Sequence, residues 1–233
     1  MENSTDFEAV FSEIHKLMLS AKFIEAKFML QSMNEDKIPD AYRYPYYNLL
    51  FETTFKTHND ENQFNESLKY LEKAVEYTED TDQKSTIYGN IAVYLIQKNR
   101  MVDAQSYVDK CFEFALSDSS KTFANKIKGR ILYLNNSLDE SLESFTEAAH
   151  YAEITHNDHM LFYITLEIAF VFEKMNRLNI AFSECDKAEQ YARFLKDLNL
   201  FHRCAIYKAQ LLYKLGRDDD AKKLINGIPK SLD

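Results

Sequence analysis

Apolar and small residues recur along the chain at spacings that fit α-helices packed in pairs. Three polar stretches, "KNRMVDA" (98–104), "MNRLNIA" (175–181) and "LGRDDDA" (215–221), share one shape, and each closes on Ala. When that Ala, or a Ser in its place, is taken as an anchor, successive anchors lie 41, 37, 37, 40 and 40 residues apart. A near-constant period in this range is typical of helical repeats. The six anchors are Ala26, Ser67, Ala104, Ser141, Ala181 and Ala221.

Fixed offsets after the anchor predict the second helix of each repeat. Mostly apolar or small residues stand four and seven positions beyond the anchor, and offsets of 0, +4 and +7 lie on one helical face. The residues at +4 are Leu30, Leu71, Val108, Phe145, Cys185 and Ile225, and those at +7 are Met33, Ala74, Cys111, Ala148, Ala188 and Ile228.

Offsets before the anchor predict the first helix of each repeat. Twelve positions before the anchor, the last four repeats have a small residue, which lets two helices approach closely. Ile14 and Phe55 stand there in the first two repeats, so we expect those two hairpins to pack less regularly. The repeat unit is therefore predicted to be an antiparallel helix pair. The four small residues are Ala92, Gly129, Ala169 and Ala209.

A turn residue five positions before the anchor is predicted to end the first helix of each pair. Asn and Gly predominate at this offset, and these residues enter the left-handed backbone region at low cost, where a helix ends and the chain reverses. The predicted turn residues are Ala21, Asn62, Asn99, Asn136, Asn176 and Gly216.

These patterns predict an all-α fold, a right-handed α-solenoid of about six helical hairpins. Only four Gly and three Pro occur in 233 residues, which disfavours β-hairpins. We expect a single domain over residues 1–233. The predicted hairpins span approximately 6–36, 40–79, 83–116, 119–154, 158–195 and 198–228.

The repeats resemble the tetratricopeptide repeat (TPR) superfamily. The resemblance is carried by "GNIAVYLIQKNRMVDAQSYVDKCFEFA" (89–115), "GRILYLNNSLDESLESFTEAAHYA" (129–152) and "EIAFVFEKMNRLNIAFSECDKAEQYA" (167–192). The period exceeds the usual 34 residues, Trp is absent, and the Pro that often ends each repeat is missing. Longer helices or connections would absorb that difference. The resemblance implies recognition of peptides or proteins in a concave groove.

Repeats of about 40 residues rich in Tyr, Asn and Lys are similar in style to the sensor regions of Gram-positive peptide-pheromone receptors of the Rap, PlcR and NprR type. Those regulators carry an N-terminal DNA-binding or phosphatase-type helical module. In this sequence the first repeat is predicted to begin near Asp6, so we expect no such module, and the output of those regulators does not transfer to this chain.

The charge and composition of the sequence indicate where the protein is located and which classes of partner it does not bind. A net charge of −9 opposes binding to nucleic acid, which needs concentrated Lys and Arg. The acidic N-terminus has no apolar signal core, and the longest mostly apolar run, 160–172, is too short to span a bilayer and contains Glu167. Cys111, Cys185 and Cys204 are odd in number, which favours free thiols in a reducing compartment. We expect a cytoplasmic protein without direct nucleic-acid or membrane contact.

The sequence predicts no catalytic residue, metal or cofactor. "HNDH" (156–159) could suggest a metal site, but Asn157 or Asp158 is a natural helix N-cap, and no further His or Cys stands at ligand spacing. The three cysteines fall at packing positions, where thiols are usually inert. The isolated glycines form no phosphate-binding loop.

Side chains 14, 11 and 7 positions before the anchor, on the first helix of each pair, are predicted to line the inner face of the solenoid. The position 15 before the anchor contributes, and Tyr133 lies alongside in the fourth repeat. Amides there can pair with the backbone of an extended peptide, Lys126 and Arg130 could clamp a carboxylate, and aromatic rings supply pockets. An alternative, equally open, is that these groups only solvate the groove or pair with neighbouring acids. The candidate ligand-binding residues are Asn90, Gln97, Lys126, Arg130, Tyr133, Glu167, Phe170, Tyr207 and Gln210.

One TPR function can be tested residue by residue. The clamp that binds chaperone C-termini uses Lys, Asn, Asn, Lys and Arg across three repeats. Only Asn90 matches, while Glu52, Lys56, Phe123 and Ile127 occupy the other offsets, so chaperone-tail recognition is not expected.

The leading hypothesis is a non-catalytic peptide- or protein-binding module, a peptide-sensing regulator or adaptor. The alternative is a structural scaffold subunit whose groove is filled by a partner protein, and an enzyme ranks third. A further hypothesis is a homodimer through a terminal hairpin, where Gly227 and Pro229 are predicted to cut the last helix short.

Overall fold

A computed structural model describes residues 7–58 and 60–229, and these residues form α-helices, one short 3-10 helix at Glu35–Lys37 and no strand. The all-α prediction is confirmed. The expected start of the first hairpin at Asp6 lies outside the described residues. The helices are α1 (Phe7–Leu19), α2 (Phe23–Ser32), α3 (Asp40–Thr57), α4 (Glu61–Glu76), α5 (Thr81–Gln97), α6 (Met101–Phe114), α7 (Asp118–Leu134), α8 (Leu138–Ile154), α9 (Asp158–Lys174), α10 (Leu178–Phe194), α11 (Leu198–Lys214) and α12 (Asp218–Asn226).

The chain divides into two compact units, one running to Ile87 and the other beginning at Tyr88. The first unit contains α1 to α4 and has its own core, in which Tyr47 and Leu30 are almost fully buried. The second unit contains α6 to α12, and one of its core clusters includes Phe162 and Leu211. The expectation of a single domain over 1–233 stays a prediction.

The anchor pattern is confirmed by burial. All six anchor side chains are 0% exposed. The residue at +4 is also buried in the first five repeats, because each of these side chains faces a neighbouring helix. In the last repeat Ile225 occupies this position and is 44% exposed. The anchor spacing therefore identified the buried face of the second helix in each hairpin.

Five of the six predicted turn residues have a left-handed backbone, with φ between 56° and 70°. At Asn99, the amide N–H donates to the Ile96 carbonyl and the next N–H, from Arg100, donates to the Leu95 carbonyl, both at 2.9 Å. This is the Schellman arrangement. Arg100 is at the same time the N-cap of α6, so a single turn ends one helix and begins the next. The five residues are Ala21, Asn99, Asn136, Asn176 and Gly216.

The prediction for Asn62 is wrong. Asn62 lies inside α4, because α4 begins early and is capped by Asp60, whose carboxylate accepts from the Gln63 N–H at 2.8 Å. Two left-handed residues were not predicted: His156 (φ 51°) and Lys196 (φ 52°) form the same turn between hairpins. Both residues stand 15 positions after an anchor, outside the offset from which turns were predicted, and of the two types only His is enriched in this conformation.

Small residues allow the close helix approach that their offset predicted. A Cβ on Gly129 would lie 2.9 Å from the ring of the fully buried Phe145 across the α7–α8 pair. The Ser141 hydroxyl donates to the Gly129 carbonyl at 2.8 Å. In the second hairpin the equivalent position is filled by Phe55, whose ring lies 6.2 Å from that of Phe64.

The polar features interpreted as structural have structural roles. Asn157 is the N-cap of α9 and accepts from the Met160 N–H at 3.0 Å, so the capping interpretation is confirmed. All three cysteines are free and fully buried. Burial raises the pKa of the Cys185 thiol and raises that of Cys204 to about 12, which keeps both thiols protonated. Within 7–58 and 60–229, no helix is long and apolar enough to cross a membrane.

Candidate functional site

A cleft of about 240 Å³ opens between α5, α7 and α9 in the second unit. These are the first helices of hairpins three, four and five, the helices expected to form the inner face. We call this feature the inner cleft. It brings together four of the nine candidate residues: Gln97, Lys126, Arg130 and Glu167. Its lining is completed by Val93, Ile96 and Ile127.

Arg130 and Glu167 form an ion pair across the cleft floor. An Arg130 guanidinium nitrogen lies 2.5 Å from a Glu167 carboxylate oxygen, and the two side chains are 41% and 20% exposed. The guanidinium carbon also lies 5.7 Å from the centroid of the Tyr133 ring. The sequence left open whether the groove residues bind a ligand or pair with neighbouring acids. At Arg130 the structure shows pairing with an acid.

Lys126 differs from Arg130 in its surroundings. Its ammonium nitrogen lies 3.7 Å from the Met160 sulfur and 5.8 Å from the centroid of the Tyr163 ring, and none of the described carboxylates lies within 4.0 Å of it. Burial lowers the pKa of Lys126, the charge of Glu167 raises it and that of Arg130 lowers it further, with a net lowering. A partly buried ammonium without a carboxylate is held at a cost in free energy.

The amide side chains among the candidates are unused. Gln97 is exposed at the cleft rim, Asn90 is half-buried on the same helix, and Gln210 is exposed on α11. Among the described residues, no hydrogen bond engages any of these three side chains. Each amide can offer both donors and an acceptor to a backbone.

Two of the aromatic candidates pack against each other between α9 and α11. Phe170 and Tyr207 pack edge to face with ring centroids 4.6 Å apart. The Tyr207 hydroxyl donates to Glu173, which also pairs with Lys214, both at 2.5 Å. Burial and the hydrogen bond to Glu173 raise the pKa of Tyr207. Phe170 and Tyr207 therefore lie in a packed contact between α9 and α11, outside the inner cleft.

Tyr133 has a similar linking role. The Lys174 ammonium donates to the Tyr133 carbonyl at 2.7 Å and lies 4.5 Å from the centroid of its ring. This contact joins α7 to α9 beside the Arg130–Glu167 pair.

Two residues on the surface beside Lys126 were not predicted from the sequence. Tyr163 stands 18 positions before its anchor, and Arg203 stands at the same offset in the next repeat. The Arg203 guanidinium carbon lies 5.7 Å from the centroid of the Tyr163 ring, whose other cationic neighbour is Lys126. Offset −18 is one helical turn before −14, so the same periodicity, carried one turn further, would have found both residues.

Sequence comparison gives no relative: no family model matches the chain, and no curated protein matches it.

Solved structures do match the fold. Aspartyl phosphate phosphatase F of Bacillus subtilis has a TM-score of 0.71 at 13% identity, over 97% of this chain and 64% of that chain. A Rap protein complexed with competence and sporulation factor also has a TM-score of 0.71, at 16% identity over 97% and 66%. BtubC (BKLC) of P. vanneervenii has a TM-score of 0.68 at 13% identity, over 94% of each chain.

These likenesses show the fold. The chain folds as an α-solenoid of helical hairpins, as the residue pattern predicted, and this fold is similar to that of Rap proteins and of a protein with TPR-like repeats. The chain spans about two thirds of the length of phosphatase F and of the Rap complex protein, and nearly the whole length of BtubC.

Proposed function

We propose that this protein is a non-catalytic peptide- or protein-binding module and that the inner cleft holds an extended segment of its partner. The supporting observation is Lys126, a partly buried cation that faces the cleft without a carboxylate. Apolar walls with a few convergent polar groups are typical of ligand sites. In this proposal Gln97, Asn90 and Gln210 bind the ligand backbone, and Lys126 with Arg130 supplies the positive charge of the site.

The remaining candidates are proposed to shape the surface around the ligand. Tyr133, Phe170 and Tyr207 hold α7, α9 and α11 at fixed spacing, and Glu167 orients Arg130. Pre-ordered side chains lower the conformational entropy lost when a ligand binds.

The finer version of this proposal is a cytoplasmic peptide-sensing regulator or adaptor. It is supported by the similarity in fold to the Rap protein complexed with competence and sporulation factor. A scaffold subunit is the second candidate. The closed Phe170–Tyr207 contact favours it, because two packed rings fill space between α9 and α11 that a short peptide would need, whereas a broad protein partner can bind over them.

Native purification followed by mass spectrometry separates these versions. A peptide-sensing module should retain a peptide of a few residues, whereas a scaffold subunit should retain a whole protein in fixed stoichiometry. The variant Lys126→Ala, Arg130→Ala should lose the partner in either case, while Lys128→Ala, an exposed lysine on the same helix, should keep it.

Calorimetry with the identified partner should then show affinity weakened by roughly 1.5–3 kcal/mol for each lost charged contact. The melting temperature should stay nearly unchanged. Equal affinity of the double variant and the wild-type protein would place the binding site elsewhere on the molecule.

A further inference from the structure

The lining of the inner cleft has unequal numbers of positive and negative side chains. Lys126 and Arg130 are the cations and Glu167 is the anion among its lining residues, which leaves an excess of one positive charge. The chain as a whole has a net charge of −9, so this excess is local and acts over a short range in physiological salt.

The positive charge of Arg130 is already paired with a carboxylate. Its guanidinium binds Glu167 at 2.5 Å, and the Glu167 side chain is only 20% exposed. The excess charge therefore belongs to Lys126, whose described neighbours are the sulfur of Met160 and the ring of Tyr163. Neither neighbour neutralises an ammonium.

We propose that the inner cleft binds one carboxylate of its ligand, that Lys126 is the residue that contacts it, and that Arg130 acts indirectly by holding Glu167 away from Lys126. This inference rests on the proposed function and gives the ligand a chemical class: a peptide segment bearing an acidic side chain or a free C-terminus. Arg130 is a positioning residue in this scheme.

The scheme makes Glu167 an internal competitor. Glu167 and Lys126 lie close enough for their charges to interact. If Arg130 is replaced by Met, the freed Glu167 carboxylate will turn to Lys126 and cancel the charge that the ligand needs. Removing the Glu167 charge as well should make Lys126 available again.

The test uses three N-acetylated pentapeptides of alanine that differ at the central residue and the C-terminus. The first has a central glutamate and an amidated C-terminus, the second a central glutamine and an amidated C-terminus, and the third a central glutamine and a free C-terminal carboxylate. Binding to the full chain is followed by NMR through the backbone amides of residues 93–97 and 126–130. The second peptide is the neutral control, and comparison of the first and third identifies the source of the carboxylate.

We expect the wild-type protein to prefer at least one of the two acidic peptides over the neutral one by roughly ten- to a hundredfold. Lys126→Met and Arg130→Met should each abolish this preference. The double variant Arg130→Met, Glu167→Gln should restore it, and Glu167→Gln alone should bind the acidic peptide at least as tightly as the wild-type protein. Lys128→Met, the matched lysine change on α7, should have no effect.

Four results would overturn the inference. A double variant as weak as Arg130→Met would mean that Arg130 itself contacts the carboxylate. A preserved preference in Lys126→Met would remove Lys126 from the site. Equal binding of acidic and neutral peptides would leave the proposed function standing and refute this inference alone, whereas no perturbation of the cleft by any peptide would refute both.

Discussion

Single residues in the left-handed region follow the ends of several helices of this protein. Among the described residues seven have this conformation, and six of them carry a side chain. A side chain in this region costs about 1–2 kcal/mol, and the Schellman hydrogen bonds offset that cost by satisfying carbonyls at the helix end. The identity of the turn residue should therefore affect stability directly.

Replacing Asn99 or Asn136 with Val should destabilise the protein by about 1 kcal/mol or somewhat more, because a β-branched residue resists the left-handed conformation. Replacement with Gly should be tolerated. Asn135 is a matched control, since its φ of −78° is ordinary and Val there should cost less. Chemical denaturation measures all the variants, and equal stability of Asn136→Val and Asn136→Gly would contradict the role assigned to this turn.

A buried ion cluster gives a second effect at the scale of single residues. Lys208 on α11 is 8% exposed and lies 2.6 Å from Asp186 and 2.8 Å from Glu189. Burial raises the pKa of Glu189, but the hydrogen bonds from Lys208 and Arg193 lower it, and the net pKa lies below the ordinary 4.5. Folding therefore favours the ionised carboxylate.

Because the pKa of Glu189 is lower in the folded state than in the unfolded state, its stabilisation is fully present above pH 4.5 and is lost as the pH falls through the folded value. Glu189→Gln should thus lower the melting temperature at neutral pH, and its difference from the wild-type protein should shrink below pH 4.5. The change Glu143→Gln at an exposed position should leave the melting temperature at neutral pH nearly unchanged. A difference independent of pH would show that Glu189 does not act through its charge.

At the scale of helices, the close α7–α8 approach depends on a missing side chain. The position of Gly129 in the repeat was predictable from the sequence, because small residues recur twelve positions before the anchor. Its contact with Phe145 was predictable only in part, since both residues lie on the repeat template but the ring orientation does not follow from spacing.

Gly129→Ala should destabilise the protein although Ala is the better helix former. The gain in helix propensity is about 1 kcal/mol, whereas the added Cβ would lie 2.9 Å from the Phe145 ring, and overpacking in a core typically costs about 1–3 kcal/mol. In a Phe145→Leu background the same change should cost less, since the smaller side chain leaves room. Denaturation of the wild-type protein, the two single variants and the double variant gives the coupling free energy between the two positions. Strictly additive free energies of unfolding would show that the methyl group added by Gly129→Ala and the Phe145 ring do not clash.

The repeat spacing predicted the position of the inner cleft residues but not their contacts. Common offsets placed Gln97, Lys126, Arg130 and Glu167 on three first helices, and the structure brings these four residues together. Spacing could not show that Arg130 pairs with Glu167 while Lys126 has no carboxylate, because that outcome depends on the axial shift between packed helices. Local capping also lay beyond the repeat pattern, as the early start of α4 at Asp60 shows.

At the scale of the whole molecule, the helices within each unit pack mainly on their neighbours in the chain, which is typical of solenoids. Circular dichroism should show a helical spectrum, and denaturation should proceed over a broad range as neighbouring repeats unfold in turn. Hydrogen exchange should detect different opening free energies for α3–α4 and α9–α10. A sharp, fully cooperative transition with uniform exchange, or appreciable sheet content, would contradict this expectation.

The terminal hairpin bears on self-association. Ile225 is 44% exposed at an offset that is buried in every earlier repeat, and Ile206 and Tyr213 on α11 are also exposed. We predict a homodimer through this hairpin, and Ile225→Lys should convert it to a monomer in sedimentation equilibrium. The same change at Val102, which is 88% exposed on α6, should leave the mass unchanged. A wild-type protein that sediments as a monomer at high concentration would refute the prediction.

The tight turns also constrain how the length of this sequence can change over evolution. In the α5–α6 turn, Arg100 completes the hydrogen bonds of one helix and is the N-cap of the next, so the turn has no spare residue. Inserting one residue after the cap would rotate the following helix by about 100° and carry Ala104 out of the core. Insertions and deletions should therefore accumulate in the longer connections at 33–39 and 77–80, where added residues leave the register of both flanking helices intact.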